Sequence, residues 1–170
     1  LDFAEGDPKQ MVRVGSVDVG AFPNDKTIGV SNDGGKTWSN GGVPVEGAAS
    51  GTIAMGVDAE YLVWSTDSKG VWFAQYSPHS WTASKGIAQG AIVRSDRVNK
   101  SKFYGFKDGS FYVSTDGGAT FTASAVADLP KKGNFQTVFG VEGELWLAGD
   151  TGLWHSSDSG SSFQKVRGVD

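Results

Sequence analysis

The sequence predicts an all-β chain built from four repeats of about 40 residues. The first observation is a Ser-x-Asp motif at 31–38 that recurs at 114–121 and, with more changes, at 156–163. A fourth copy at 74–81 keeps only its closing aromatic residue, so the four closing aromatics lie 43, 40 and 42 residues apart. The second observation is that each motif lies between short alternating runs, which is typical of a β-hairpin. No stretch has helical periodicity, and four strands per repeat predict the blades of a β-propeller.

Each repeat is expected to form one four-stranded blade, with the Ser-x-Asp motif as the turn between its third and fourth strands. The chain is then one propeller segment, 1–170, with blades at about 1–45, 46–86, 87–128 and 129–170. The predicted strands, blade by blade, are 1–4, 11–16, 27–31 and 37–40; 52–57, 61–65, 71–75 and 81–84; 91–95, 102–106, 110–115 and 120–125; 136–141, 144–148, 152–157 and 163–167.

The composition excludes several classes of protein and site. The chain has 170 residues, with 15 Lys and Arg against 19 Asp and Glu, a net charge of −4. Such a chain lacks the clustered cations that neutralise phosphates, so no nucleic-acid partner is expected. No apolar run approaches the roughly 20 residues that span a bilayer, so no membrane partner is expected. With no Cys, and with no partner at metal-ligand spacing for either His79 or His155, neither a metal site nor a cofactor is expected.

The turns of a propeller blade lie on two opposite faces. Turns between strands one and two and between strands three and four share one face, where the Ser-x-Asp turns lie. Turns between strands two and three, and the blade connectors, lie on the other face, which usually carries the site. We call this second face the loop face; its segments are 18–25, 66–70, 107–109 and 149–152, with connectors at 41–50, 86–90 and 127–134.

The Ser-x-Asp motif is the Asp box, and its residues are expected to be structural. A carboxylate in such a turn can accept hydrogen bonds from backbone N–H groups of the same turn, while the closing aromatic packs beneath the hairpin. The residues concerned are Asp33 with Trp38, Asp116 with Phe121, and Asp158 with Phe163. The motif indicates a group of folds and does not identify a reaction.

Five residues are weaker candidates for contact with a substrate. Trp64 lies near the loop-face end of its strand, where its ring either stacks on a sugar or belongs to the core. Trp146 has the same two interpretations, with the core favoured more strongly. Phe22 lies in the longest loop of the loop face. Asp18 and Asp150 lie in loops of this face, where they serve either as paired carboxylates or as ordinary turn residues.

Several segments carry a resemblance that goes beyond the repeats. They are Leu1-Asp2-Phe3-Ala4-Glu5, Val12-Arg13-Val14-Gly15, Ser95-Asp96-Arg97-Val98-Asn99, Phe103-Tyr104-Gly105-Phe106 with the following hairpin, and Leu145-Trp146-Leu147-Ala148-Gly149 with Gly152-Leu153-Trp154-His155-Ser156. Together they resemble the xyloglucanases of glycoside hydrolase family 74, in particular part of their second propeller.

The resemblance implies a secreted, extracellular enzyme that cleaves the β-1,4-glucan backbone of xyloglucan with inversion. Its two seven-bladed propellers would supply one catalytic Asp each, and inversion needs carboxylates roughly 6.5–9.5 Å apart. The family's second-propeller Asp lies in a Gly-Asp-x-Gly-Gly-Phe segment that this sequence lacks. The segments 17–22 and 149–153 match it only in part. No catalytic residue is therefore assigned to this chain.

The chain is accordingly expected to be a fragment of about four blades out of seven, inactive alone, that contributes cleft wall and substrate-binding face. Its first residue is Leu1 and not Met, which agrees with a chain cut from a longer one. The expected partners are xyloglucan or a related β-glucan, and the remaining blades or a second copy that covers the open sheet edges.

Two other functions remain open. The first is a non-catalytic Asp-box propeller that binds a protein or glycan partner. The second is a sialidase, which needs an arginine cluster for the substrate carboxylate. It is disfavoured because the chain has only Arg13, Arg94, Arg97 and Arg167, and Arg97 is predicted on the face opposite the loop face.

Overall fold

The computed structural model describes residues 1–16, 26–42, 46–48, 50–75 and 80–168. These residues form four four-stranded antiparallel sheets and contain no helix, which confirms the all-β prediction. Among them, no helical segment is long and apolar enough to cross a membrane.

The strands follow one another along the chain, four to a sheet. Blade 1 consists of β1 (Asp2–Ala4), β2 (Asp7–Ser16), β3 (Lys26–Ser31) and β4 (Ser39–Asn40). Blade 2 consists of β5 (Thr52–Met55), β6 (Tyr61–Ser65), β7 (Val71–Gln75) and β8 (Thr82–Ala83). Blade 3 consists of β9 (Ile92–Ser95), β10 (Phe103–Lys107), β11 (Ser110–Ser114) and β12 (Thr122–Ala123). Blade 4 consists of β13 (Gly133–Thr137), β14 (Leu145–Gly149), β15 (Gly152–Ser156) and β16 (Gln164–Lys165).

Each sheet is a meander in which every strand pairs with the next one in sequence. The outermost strands hold two residues each, whereas the alternating pattern predicts four to six. Each outermost strand pairs with its neighbour over these two residues only. A single further backbone bond follows it, as from Ser124 N to Phe111 O at 2.8 Å and from Val166 N to Leu153 O at 2.8 Å.

The first strand of blade 4 is displaced from its predicted place. The sequence predicts 136–141, but the strand is Gly133–Thr137. Its register with β14 buries Phe135 opposite Leu147. The apolar residues that suggested a later strand, Phe139 and Val141, are instead 56% and 49% exposed beyond its end. The predicted strand was therefore misplaced, because part of the apolar run on which it rested is exposed.

Three hydrophobic clusters fill the spaces between blades 1 and 2, 2 and 3, and 3 and 4. In each sheet, the two middle strands supply one pair of residues that faces the preceding blade and one pair that faces the following blade. The pairs facing the preceding blade are Arg13–Gly29, Trp64–Trp72, Gly105–Tyr112 and Leu147–Trp154 in blades 1 to 4. The pairs facing the following blade are Val12–Val30, Val63–Phe73, Tyr104–Val113 and Trp146–His155. Equivalent positions in the four blades can thus be compared residue by residue.

Candidate functional site

Each Ser-x-Asp turn is held together by its own carboxylate. In blade 1, Asp33 Oδ1 accepts bonds from Ser31 Oγ at 2.9 Å and Thr37 N at 2.9 Å, while Oδ2 accepts one from Thr37 Oγ1 at 2.7 Å. The same three bonds recur around Asp116 and Asp158. With these bonds made inside the turns, the three carboxylates stabilise the hairpins and do not converge on a common site.

The closing aromatics lie against these turns. The Trp38 indole Nε1 donates to Gly35 O at 3.0 Å. Phe121 is buried in the cluster between blades 2 and 3. Phe163 packs edge-on against Phe111 of blade 3, with ring centroids 5.0 Å apart. Each of these two phenylalanines therefore contacts the blade before its own.

The hydrogen bonds lower the pKa of the turn carboxylates. For Asp33 the bond from the Thr37 hydroxyl is the largest cause, and the pKa falls from 3.8 to about 2. For Asp116 and Asp158 burial is the largest single influence and raises the pKa. The bonds from the threonine or serine hydroxyl and from the backbone outweigh it, so the net pKa is lowered.

These shifts predict how the chain responds to acid. Because the folded-state pKa values lie below 3.8, the turns contribute their stability fully above about pH 4, and Asp33 loses it as the pH falls through about 2. We expect a triple variant, Asp33→Asn, Asp116→Asn and Asp158→Asn, to be less stable at neutral pH. Its free energy of unfolding should also change less steeply between pH 4 and pH 2, as measured by urea unfolding at stepped pH. A wild-type slope in the triple variant would contradict this account.

Trp64 belongs to the core. Its side chain is fully buried, its Nε1 donates to Ser50 O at 3.0 Å, and its ring meets Trp81 edge-on at 6.2 Å. Neither ring face is open to a sugar. Of the two interpretations of this residue, the structure supports the core and not the sugar platform.

Trp146 keeps both of the interpretations that the sequence allows. It lies on the side of blade 4 that faces a following blade, where it is 38% exposed and stacks on His155 with centroids 4.4 Å apart. Its equivalents in blades 2 and 3, Val63 and Tyr104, are fully buried because the next blade covers them. No described residue covers Trp146 in this way. It lies on the side of the sheet and not on the loop face.

Of the acidic candidates, only Asp150 lies within the described residues. It is exposed in the turn between β14 and β15, and its backbone N donates to Lys132 O at 3.0 Å. Asp18 and Phe22 lie outside the described residues, as does His79, so the pairing of Asp18 with Asp150 stays a prediction. In the described ranges, no group of three or more His, Asp or Glu residues could hold a metal ion.

Trp72 of β7 belongs to the side of blade 2 that faces blade 1, and its ring reaches the turn between β6 and β7 on the loop face. Its Nε1 donates to Lys69 O, in the turn between β6 and β7, at 2.7 Å, and its side chain stays partly exposed there. Its equivalents Tyr112 and Trp154 pack against hydrophobic clusters. The signal available in the sequence was the short turn before Trp72, which places the ring next to the loop face.

The inner strands of all four blades line a central cavity of about 500 Å³. Its polar lining includes Thr52, Arg94, Arg97 and Gln136. Arg97 Nη2 pairs with Asp2 Oδ1 at 2.9 Å, and Asp2 Oδ2 accepts the backbone N of Met55 at 2.9 Å. This connected pair joins blade 3 to blades 1 and 2.

Asp96 is a second polar link that the sequence did not indicate. This buried carboxylate accepts bonds from the Tyr104 hydroxyl at 2.7 Å and from Gly143 N at 2.9 Å, which ties blade 3 to blade 4. Burial raises the pKa of the Tyr104 phenol, so this hydroxyl keeps its proton and remains a donor. The role of Asp96 is structural.

Comparisons with known proteins give these four sheets a context. No protein-family model matches the chain. A xyloglucanase from Paenibacillus sp is 51% identical over 179 aligned residues, which cover 100% of this chain and 17% of that protein. Xyloglucanase Xgh74A of Acetivibrio thermocellus is 39% identical over 156 residues, covering 89% of this chain and 18% of that protein. The crystal structure of the Niastella koreensis GH74 enzyme matches with a TM-score of 0.81 and 27% identity, covering 98% of this chain and 24% of that one.

The chain thus spans less than a fifth of the length of these two xyloglucanases, 17% and 18%. The match in sequence covers 100% of the chain, and the match in structure covers 98% of it. The four sheets are blades of a β-propeller, and the chain belongs to glycoside hydrolase family 74.

Proposed function

We propose that this chain is part of a secreted enzyme that hydrolyses the β-1,4-glucan backbone of xyloglucan with inversion. The observation that carries the proposal is the 51% identity to a xyloglucanase over 100% of the chain. Xyloglucan is a polymer too large to enter a cell, which supports an extracellular location. The catalytic carboxylates are assigned to parts of the parent protein beyond this chain, because the family's Gly-Asp-x-Gly-Gly-Phe segment is absent here.

The role of these four blades is to form part of the cleft wall and bind the glycan. Sugar rings bind to exposed aromatic rings together with polar groups at a surface. The loop face offers Trp72 and Asp150, both exposed at least in part. We therefore assign glycan contact to the loop face. The open sides of blades 1 and 4 are assigned to packing against other blades of the parent protein.

Affinity electrophoresis in gels with and without soluble xyloglucan tests this assignment. We expect the chain to migrate more slowly with xyloglucan, and Trp72→Ala to lose most of that retardation because it removes the exposed ring. Phe139→Ala is the matched control, since Phe139 is 56% exposed but follows β13 at the opposite face. Normal migration of the folded wild-type chain would contradict the assignment and favour a module that binds a protein partner.

The assignment of the catalytic carboxylates to other parts of the parent protein predicts a second result. The chain alone should release no reducing ends from xyloglucan, even if it binds the polymer. Release that persists in highly purified protein would show that a carboxylate pair is present in this chain, and would overturn the assignment of catalysis to the rest of the parent protein.

A further inference from the structure

We propose that the outer rim of the propeller between blades 3 and 4 carries a groove that binds an extended peptide segment through its backbone. Both walls of the groove belong to blades of this chain, so it does not depend on the open sides of blades 1 and 4. Peptide binding at the rim goes beyond the proposed function. It is tested with a peptide and not with a glycan, so its failure and that of the proposed function can be told apart.

The rim between blades 2 and 3 shows how extended backbone fits at such a place. Just after β8, Lys85 forms a parallel bridge with the Ser-x-Asp turn of blade 3. Its backbone N donates to Ala119 O at 3.0 Å, and its O accepts the backbone N of Phe121 at 2.8 Å. The next residue, Gly86, has a φ of +74°, and a Cβ built on it would overlap Phe121 O. A bridge of this kind therefore requires glycine after the bridging residue.

The equivalent place between blades 3 and 4 lacks this bridge. By the register of the outermost strands, Ala125 and Val126 take the places of Lys85 and Gly86. Val126 carries a side chain, which packs against the cluster between blades 3 and 4. Since a Cβ at this place would overlap the carbonyl of the next blade, the chain here does not close its own rim.

The missing bridge leaves a gap with two backbone groups at its edge. Ser161 O and Phe163 N are the equivalents of the two groups that Lys85 binds in blade 3, and neither has a hydrogen-bond partner within the described part of the chain. A second change widens the gap, because Val113 holds the place of the larger Phe73 of blade 2. The result is a groove of about 360 Å³ that continues the interface between blades 3 and 4.

The lining of the groove indicates a peptide and not a glycan. It consists of small side chains without charge, among them Thr122, Ala123 and Ser161, and none of the lining residues offers an aromatic ring to a sugar. Ser124 Oγ donates to Gly160 O at 2.6 Å, which fixes the two walls relative to each other. Unpaired backbone groups at a sheet edge pair with an added strand, and small side chains let its backbone come close.

The bridge at Lys85 defines how a bound segment pairs in the groove. One residue of the segment donates its N–H to Ser161 O and accepts the N–H of Phe163. The residue after it is glycine, because a Cβ there would overlap Phe163 O as it would overlap Phe121 O at Gly86. The chemistry recognised is therefore extended backbone with a glycine at one fixed place.

Fluorescence polarisation with a labelled hexapeptide tests the site. The probe copies residues 82–87, Thr-Ala-Ser-Lys-Gly-Ile, which hold the bridge between blades 2 and 3. We expect saturable binding of this probe to the wild-type chain. Methylation of the backbone nitrogen of its lysine should weaken binding about tenfold, since one hydrogen bond is lost and Ser161 O is left unpaired. A probe with valine in place of its glycine should not bind.

Two substitutions of Val126 separate the groove from the stability of the fold. Val126→Gly allows the chain to close its own rim as it does at Gly86, so binding of the probe should be lost. Val126→Ala is the matched control, because it also removes apolar contact but keeps a Cβ, so binding should persist. Val113→Phe fills the floor of the groove and should also abolish binding. Circular dichroism verifies that each variant is folded.

Several results would overturn the proposal. They are no saturable binding to the wild-type chain, equal binding of the methylated probe, and equal effects of Val126→Gly and Val126→Ala. Displacement of the probe by xyloglucan would assign the groove to a glycan instead. Self-association of the chain that Val113→Phe abolishes would assign it to a second copy.

Discussion

Arg97→Met is expected to lower the free energy of unfolding by about 3–5 kcal/mol, the usual loss when one partner of a buried ion pair is removed. The Arg97 and Asp2 side chains are only 10% and 8% exposed, so the substitution leaves a carboxylate charged and shielded from water. The Arg97 guanidinium also lies 5.7 Å from the Phe3 ring centroid and 5.5 Å from that of Phe139, so its packing between blades 1 and 4 is lost as well. Urea unfolding followed by tryptophan fluorescence measures the loss.

An exposed ion pair supplies the control for Arg97. Lys100 Nζ lies 2.7 Å from Glu60 Oε2, but the two side chains are 58% and 38% exposed. Water and salt screen such a pair, so Lys100→Met should change stability little. Adding Asp2→Asn to Arg97→Met should recover part of the loss, because it removes the stranded charge. Equal effects of Arg97→Met and Lys100→Met would show that the link across the cavity does not stabilise the blades.

Much of the fold could be predicted from the sequence, because strands and turns leave local patterns in it. The strands β6 and β7 coincide with their predicted ranges because alternating residues and a short polar turn define both ends. The pattern failed at β13, where the exposed Phe139 and Val141 extend an apolar run past the end of the strand. The alternating pattern shows which residues could form a strand. Packing against other blades decides which of them do.

The candidate site was less predictable, because its residues depend on contacts between blades. Trp146 holds the position of Val63 and Tyr104 in its blade, but burial at this position requires a following blade. The sequence likewise placed Arg97 on the face opposite the loop face. Arg97 does lie in the turn between β9 and β10 on that face, and its side chain reaches Asp2, 95 residues away in the chain. No local pattern could indicate a contact of that range.

Trp64→Ala is expected to cost about 3–5 kcal/mol, the usual range for a fully buried Trp replaced by Ala. Three separate losses contribute to this figure. The side chain is removed from the cluster between blades 1 and 2, its contact with Trp81 disappears, and the Ser50 carbonyl loses the indole donor at 3.0 Å. Urea unfolding at neutral pH measures the change. Trp64→Phe keeps a ring but lacks the donor, so its free energy of unfolding should lie between those of the wild-type chain and Trp64→Ala.

The matched control for Trp64 is Trp146→Ala. This Trp is 38% exposed and covered only in part, so removing it should destabilise the chain several times less than removing Trp64. The comparison also separates packing from binding. If Trp64→Ala unfolds with wild-type stability yet no longer binds xyloglucan, the ring is a sugar platform and not part of the core. We expect the reverse: reduced stability, and xyloglucan retardation that persists for as long as the variant remains folded, because the loop face around Trp72 is unchanged.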